Sequence, residues 1–520
     1  RDKLVTGVQT CALPISFVPD QGNRPMTQAS INLGGPRFAF DNSYARELEG
    51  FYVSWQAAQV AQPRLVKLNV ELADELGLDV EALDSEEGAR IFVGNAMPVG
   101  AMPLAQAYAG HQFGGFVPQL GDGRALLLGE VIDRHGRRRD IQLKGSGPTP
   151  FSRAGDGRAA LGPVLREFLI GEAMQGLGIP TTRALAAVST GEPVYRETAL
   201  PGAVLTRVAA SHLRVGTFQF FAARGEQEKL RRLADYAIER HYPQLKDEPD
   251  RYIGLLASVC ERQAELVASW MQVGFIHGVM NTDNMAISGE TIDYGPCAFM
   301  DDYNPATCFS SIDTHGRYAY GNQPKIAQWN LARLAETLLP LIDADNQRAV
   351  ARATDVIAAF AAQYQRHWLS GMRAKLGLGS EEEADLNLAG DFLTALNNGK
   401  VDHILAFRYL ADAAAGDETR VRAMFADPSA LNLWSEHWRA RLERDAMEPS
   451  TRAALMRRAS PAFIPRNHRV EEALSAAVER DDYAPFETLL KIISHPFDDQ
   501  PEYAAFAEPA PAGQGRYRTY

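Results

Sequence analysis

The sequence predicts an α+β protein of two lobes, strand-rich first and helical second, and three observations carry that prediction. Between about residues 36 and 205, short apolar or alternating runs are broken by glycine-rich turns. After about residue 225, apolar side chains recur at helical spacing almost without pause. The densest polar motifs lie near the join. A strand-rich N-lobe over 26–205, a helical C-lobe over 206–505 and a flexible tail over 506–520 follow, with a cleft expected between the lobes.

Residues 1–25, opening RDKLVTGVQTCALPIS, show neither strong periodicity nor the charged and long apolar regions of a signal peptide. They read as a non-native leader, and natural sequence is expected from Met26. ALLLGEVID (125–133) and RRDIQLKG (138–145) alternate as strands, joined into a hairpin by the turn at Arg134–Gly136. The period then changes. Leu161, Val164, Leu165, Phe168, Leu169 and Ala173 recur at three and four residues, so GPVLREFLIGEAMQGLG is a helix closed by Gly176 or Gly178. Short strands near ALAAVST and AVLTRVA complete the lobe. Beyond it LRRLADYAIER, IGLLASVCERQAELVASWM, IAQWNLARLAETLLPLI and ATDVIAAFAAQYQRHWL read as amphipathic helices. HGVMNTDNMAISGETIDYG (277–295) interrupts them, and AEPAPAGQGRYRTY closes the chain with a disordered composition.

A chain of 520 residues, 46% of them hydrophobic, has room for substantial cores. Its net charge of −12 argues against a nucleic-acid or anionic-membrane partner. No run reaches the roughly 18 apolar residues of a membrane span. Cys11, Cys260, Cys297 and Cys308 form no CxxC and no zinc spacing, which fits a reducing compartment, by default the cytoplasm. Cys260 falls on the apolar stripe Ile253, Leu256, Cys260, Val267, Met271 and reads as core.

Several residues point to phosphate chemistry. Gly121 and Gly123 make a tight turn before a strand, where backbone amides can approach an anion and Arg124 adds charge; a plain hairpin turn is the simpler alternative. No P-loop or GxGxxG motif occurs. Lys144 ends the next strand and Glu167 lies on the following helix, the order of the lysine–glutamate pair in kinase-like sites. Asp156 and Gly157 precede that helix, near its anion-binding end, although Asp156 could simply be a cap. Arg207 and Arg214 supply forks suited to phosphate oxygens.

The interrupting motif then reads against the kinase loop H-R-D-x-x-x-x-N, whose base stands two residues after the histidine and whose metal-binding asparagine stands seven after it. Counting from His277, the asparagine is Asn284, and Asp293-Tyr294-Gly295 takes the place of Asp-Phe-Gly. Val279 stands at the base position, and Asp283 is the nearest carboxylate able to replace the missing base. Asn284 and Asp293 are oxygen ligands of the kind magnesium takes alongside phosphates and water. Asp301 and Asp302 read as loop or cap carboxylates. The expected architecture is a bilobal, protein-kinase-like fold.

With these residues in place, the chain closely resembles the selenoprotein O family, kinase-fold proteins long treated as pseudokinases. The blocks FDNSYARELEGFY, YAGHQFGGFVPQLGDGRA, QLKGSGPTPFSRAGDGRAALGPVLREFLIGEAM, VLTRVAASHLRVGTFQFFA, HGVMNTDNMAISGETIDYGP and GRYAYGNQPKIAQWNLARLAETLLPL carry the resemblance in order. It implies transfer of AMP from ATP to Ser, Thr or Tyr hydroxyls of proteins, pyrophosphate leaving, with the nucleotide flipped relative to ordinary kinases. It implies nucleotide binding by Gly121, Gly123, Arg124, Lys144, Asp156, Gly157, Arg207 and Arg214, and positioning of Lys144 by Glu167. Asp283 would accept the proton, and Asn284 and Asp293 would hold Mg²⁺ or Mn²⁺. The expected partners are ATP and protein substrates, with no nucleic acid, no membrane and a monomeric state. UMP transfer, γ-phosphoryl transfer and a non-catalytic scaffold, the last suggested by Val279, remain open at this point. Bacterial relatives commonly carry a tail cysteine thought to pair with one in the activation-loop region, where Cys308 would be the counterpart; the tail here has none, either because the sequence is truncated or because this member lacks the switch, and no disulfide is assigned.

Overall fold

In the computed structural model, which describes residues 36–511, Tyr517 and Thr519, strand alternation builds a sheet covered on both faces. The expected leader at 1–25, with Cys11, lies outside the described residues. The strands are β1 (Tyr52–Ser54), β2 (Arg64–Leu68), β3 (Leu104–Gln106), β4 (Gly110–Gln112), β5 (Gly115–Val117), β6 (Ala125–Ile132), β7 (Arg138–Lys144), β8 (Ala159–Ala160), β9 (Arg183–Tyr195) and β10 (Ala199–Ala209). The main sheet runs β1-β3-β6-β7-β10-β9-β2 with β8 added on β10, and β4–β5 is a separate hairpin. Every neighbouring pair in the sheet is antiparallel.

Period two decides what each face of the sheet does. Ile141 and Leu143 of β7 and Val204 and Val208 of β10 pack with Leu72, Ile91 and Phe92 from the helices Val70–Glu75 and Glu86–Val93. The intervening residues turn the other way, toward the helix Leu161–Gly176. There Arg207 stands opposite Gln142, and Leu205 opposite Lys144, so the register aligns these four on one face.

The predicted hairpin forms, with Gly136 at φ +75° and Asp133 accepting the amides of His135 and Arg137. The helix after it ends as expected, Gly178 taking the left-handed conformation at φ +72°. The next two strands are longer than predicted. Their distal halves place Pro193 opposite Pro201, both exposed, and a proline- and glycine-rich sequence reads as loop although an exposed ladder end tolerates it.

The four predicted helices form as Gln227–His241, Arg251–Gln272, Gln323–Ile342 and Asn346–Leu376. Seven more described helices, from Asp385–Gly399 to Ala484–Ile493, continue the helical part, with the five-residue helix Thr419–Ala423 among them. None of the described helices is long and apolar enough to cross a membrane. From Pro36 onward the chain forms one compact unit. Its strand-rich and helical parts are joined by a buried ion network in which Arg240 donates to Glu130, Asp140, the Tyr236 hydroxyl and the Ala210 carbonyl. His212 completes the network on Asp140 at 2.9 Å.

The interrupting motif is a loop held at both ends. Phe275–Ile276 pairs with Ala298–Phe299, and Asn467, at the start of the helix Asn467–Arg480, both donates to the Phe299 carbonyl at 2.7 Å and accepts its amide at 3.2 Å. The tail, expected to be flexible, places two residues against the body. Tyr517 donates to Glu471 and accepts from Arg166, each at 2.9 Å, while Thr519 donates to the carbonyls of Pro296 and Phe309.

Lys375 is 2% exposed and has no carboxylate partner among the described residues; its ammonium meets the Gln272 carbonyl and the Phe407 ring. Burial lowers its pKa from 10.5 to about 7. Between those values the unfolded chain holds a proton that the folded chain has released, so stability rises with pH across that window. Urea unfolding of Lys375→Met is expected to lose that rise. An unchanged pH slope would show that Lys375 stays charged.

Candidate active site

The polar face of β7 and β10 meets the interrupted loop in a cavity of about 1150 Å³. Pockets for drug-sized ligands run to roughly 300–1,000 Å³, so the cavity has the size to admit a ligand as large as a nucleotide. Lys144, at the end of β7, donates to Glu167 and to Asp293, both at 2.6 Å. Arg207 donates to Asp293 at 2.7 Å, Glu167 at 3.2 Å and Gln142 at 2.6 Å. Arg214 donates to the other Asp293 oxygen at 3.2 Å and to the Asp283 carbonyl at 2.9 Å, with its guanidinium 4.5 Å from the Tyr108 ring. Three cations thus converge on one carboxylate.

Asp293 reaches them from a left-handed backbone, φ +65°, which turns its side chain out of the Thr291–Gly295 segment. Burial alone would raise its pKa, but Lys144, Arg207 and Arg214 outweigh burial and hold it well below the usual carboxylate range. His277 supports this turn without touching the cavity, donating from Nε2 to the Ile292 carbonyl at 3.0 Å and accepting the Val279 amide on Nδ1 at 3.4 Å. Its burial lowers its pKa and keeps the ring neutral.

Asp283 sits in a short 3-10 turn, Thr282–Asn284, under the β4–β5 hairpin. One carboxylate oxygen accepts from Gln112 at 3.2 Å, and the other is buried with no hydrogen-bond partner. Burial pushes this carboxyl up to about 6 against the pull of Arg214, which places it where a proton acceptor works near neutral pH. Asn284 gives its amide nitrogen to the Val279 carbonyl at 3.0 Å, leaving the side-chain oxygen available. Val279 itself lines the cavity at the position vacated by the usual base.

The cavity gathers Gly123, Arg124, Lys144, Glu167, Arg207, Arg214, Asp283, Asn284 and Asp293 from the predicted set. Gly121, Asp156 and Gly157 lie outside its lining. A Cβ on Gly121 would meet the Phe151 ring at 2.3 Å, and one on Gly157 would meet the Gly147 carbonyl oxygen at 2.1 Å, so protein neighbours already account for both glycines. Asp156 pairs with Arg196 at 2.7 Å and accepts the Arg158 amide at 3.0 Å.

Sequence reasoning missed Asp122, Gln142, Gln112 and Tyr108. Gln142 carried a signal, since it lies two residues before Lys144 on the same strand and therefore shares its face. Asp122, between the two glycines, is 2% exposed, accepts from the Gln106 amide and from Gln142, and is pushed up to about 6 by burial. Gln112 and Tyr108 belong to segments with no periodicity that would mark them.

Residues 37–494 match the family model described as Protein adenylyltransferase SelO. A protein nucleotidyltransferase YdiU of Rhizobium rhizogenes is 62% identical over 479 residues, covering 92% of this chain and 95% of its own. Its namesakes from Cereibacter sphaeroides (strain KD131) and Rhizobium meliloti are 63% and 61% identical over 485 residues, each covering 93% of this chain and 99% of its own. Relatives this similar are named as nucleotidyltransferases, so the non-catalytic scaffold suggested by Val279 is set aside.

Proposed function

We propose, from the premise that this chain belongs to the SelO protein adenylyltransferase family and is a protein nucleotidyltransferase, that it moves AMP from ATP to Ser, Thr or Tyr hydroxyls of protein substrates. The supporting observation is the convergence of Lys144, Arg207 and Arg214 on Asp293 and Glu167 beside the isolated carboxylate of Asp283. Lys144, Arg207 and Arg214 gather three cations deep in the cavity, donors suited to the terminal phosphates of a flipped triphosphate. The α-phosphorus is then the atom left for attack, and the β- and γ-phosphates depart together as pyrophosphate. Asp283 takes the proton of the attacking hydroxyl, and Gln112 holds that carboxylate in place. Leu161, Leu474 and Val478 offer an apolar wall for the base. The layout supports a kinase-like division of labour, with the sheet holding phosphate-binding cations and the helical part supplying the loop.

The donor set suits a hard divalent ion, Mg²⁺ or Mn²⁺. Asn284 has an uncommitted amide oxygen, and Asp293 is a carboxylate. No group of three or more metal-ligating His, Cys, Asp or Glu exists among the described residues, which fits an ion held by these two residues together with phosphates. When bound, it would neutralise charge on the departing pyrophosphate. The thiols Cys260, Cys297 and Cys308 are free, in keeping with work in the cytoplasm.

ATP labelled at the α- or γ-phosphate, supplied with Mg²⁺ or Mn²⁺, tests the reading. The α-label is expected to become covalent on protein. Transfer of the γ-label alone would establish ordinary phosphorylation instead, and a parallel arm with α-labelled UTP decides between AMP and UMP.

A further inference from the structure

We propose that the rim formed by the β4–β5 hairpin and Arg317 receives the acceptor polypeptide and favours segments that carry a carboxylate side chain beside the acceptor hydroxyl. This rests on the protein-acceptor reading above and adds what the acceptor looks like.

The hairpin turn is Phe113-Gly114, with both residues at positive φ, +51° and +86°. A primed two-residue turn of this kind favours Asn-Gly or Gly-Gly. A phenylalanine there is strained, and it persists only because its surroundings over-determine it. The Phe113 amide donates to Asn281 Oδ1 and to the Tyr318 hydroxyl, both at 3.2 Å, and its ring meets Tyr318 edge-on at 5.1 Å. Yet the ring remains 40% exposed. Phe116 on β5 is 41% exposed and Ile312 62% exposed. Strain that presents an apolar ring instead of burying it marks a binding surface.

Its place is set by its neighbours. Gln112, directly before Phe113, touches Asp283, and Asn281, which holds the Phe113 amide, lines the cavity two residues before Asp283. Ile312 follows Ser311, another lining residue. A hydroxyl brought to Asp283 therefore arrives on a segment whose flanking residues run over this rim.

Arg317 supplies the charge selection. Trp329 carries two guanidiniums, Arg317 at 4.9 Å and Arg333 at 5.0 Å from its ring. Glu336 answers Arg333 at 2.7 Å, whereas Arg317 has no ion-pair partner among the described residues, and its Nε is buried without a hydrogen bond. The hairpin turn passes beside it, a Cβ on Gly114 lying 3.7 Å from its guanidinium carbon. A cation fixed on an aromatic face and lacking a carboxylate is complementary to an acidic side chain on the incoming segment.

The test uses the whole protein, α-labelled ATP and paired peptides with one acceptor hydroxyl, flanked within three residues by Asp or Glu in one member and by Lys in the other. The acidic member is expected to be modified about tenfold faster or more. Arg317→Glu is expected to reverse that preference, and Arg317→Lys to keep its sign, with ATP affinity by calorimetry unchanged in both. Equal rates for the paired peptides in the wild-type protein overturn the inference, and that comparison stands whether or not a variant folds. A preference that survives in Arg317→Glu overturns it as well. If no α-label reaches any peptide or protein, the transfer reading itself fails, and this one fails with it.

Discussion

Asp293→Ala is expected to lower kcat/KM for nucleotidyl transfer by on the order of a thousandfold or more. Asp293 is the single residue on which Lys144, Arg207 and Arg214 converge, so its removal takes away the proposed metal ligand and releases three cations from their shared position. Glu167 remains at 2.6 Å from Lys144 and 3.2 Å from Arg207, and Arg214 is left with Asp122 at 4.0 Å. Removing one partner of a buried ion pair costs about 3–5 kcal/mol, so the variant is also expected to melt earlier. ATP should recover part of that loss, because its phosphates replace the missing negative charge. Rates with α-labelled ATP and thermal melts with and without nucleotide check both halves. A variant with full activity would remove Asp293 from the site.

The second large effect concerns folding. Arg240→Ala is expected to destabilise the protein by about 3–5 kcal/mol, because it leaves two almost fully buried carboxylates, Glu130 and Asp140, with Arg138 as their one remaining cation among the described residues, at 3.2 Å from Glu130. Burial pushes the Asp140 carboxyl up, but Arg240 and His212 together bring it down to about 2, so it is ionised throughout the neutral range. With the arginine gone, protonating either carboxylate removes the unbalanced charge, and the loss should shrink on mild acidification. Urea unfolding across that range measures it. A shift below about 1 kcal/mol would mean that the network contributes no more than a surface pair does.

What the sequence revealed depended on how local each signal was. Lys144, Glu167, Arg207, Arg214 and Asp293 were legible because each sits at a recognisable place, a strand end, a helix face or the loop after His277, and the register of β7 against β10 then brings them together. Gly121 and Gly157 show the limit of reading glycines. A glycine reports only that something lies close, and here Phe151 and Gly147 are what lie close. The three-residue strands β1, β3, β4 and β5 are too short for period two to register, and Phe113 at positive φ conceals the turn that joins β4 to β5. The contribution of Glu471, Leu474 and Val478 to the cavity is tertiary, and no spacing in the sequence announces it.

The two hydrogen bonds between Asn467 and Phe299 join residues 168 positions apart in the chain. They make the reactive loop a joint product of both parts of the polypeptide. A fragment ending before Asn467 would keep Lys144, Arg207, Arg214, Asn284 and Asp293 yet lose the clasp on that loop and one wall of its cavity. Splitting the chain between Asn346 and Asn467 and mixing the pieces would therefore make recovered transfer a direct report of reassembly.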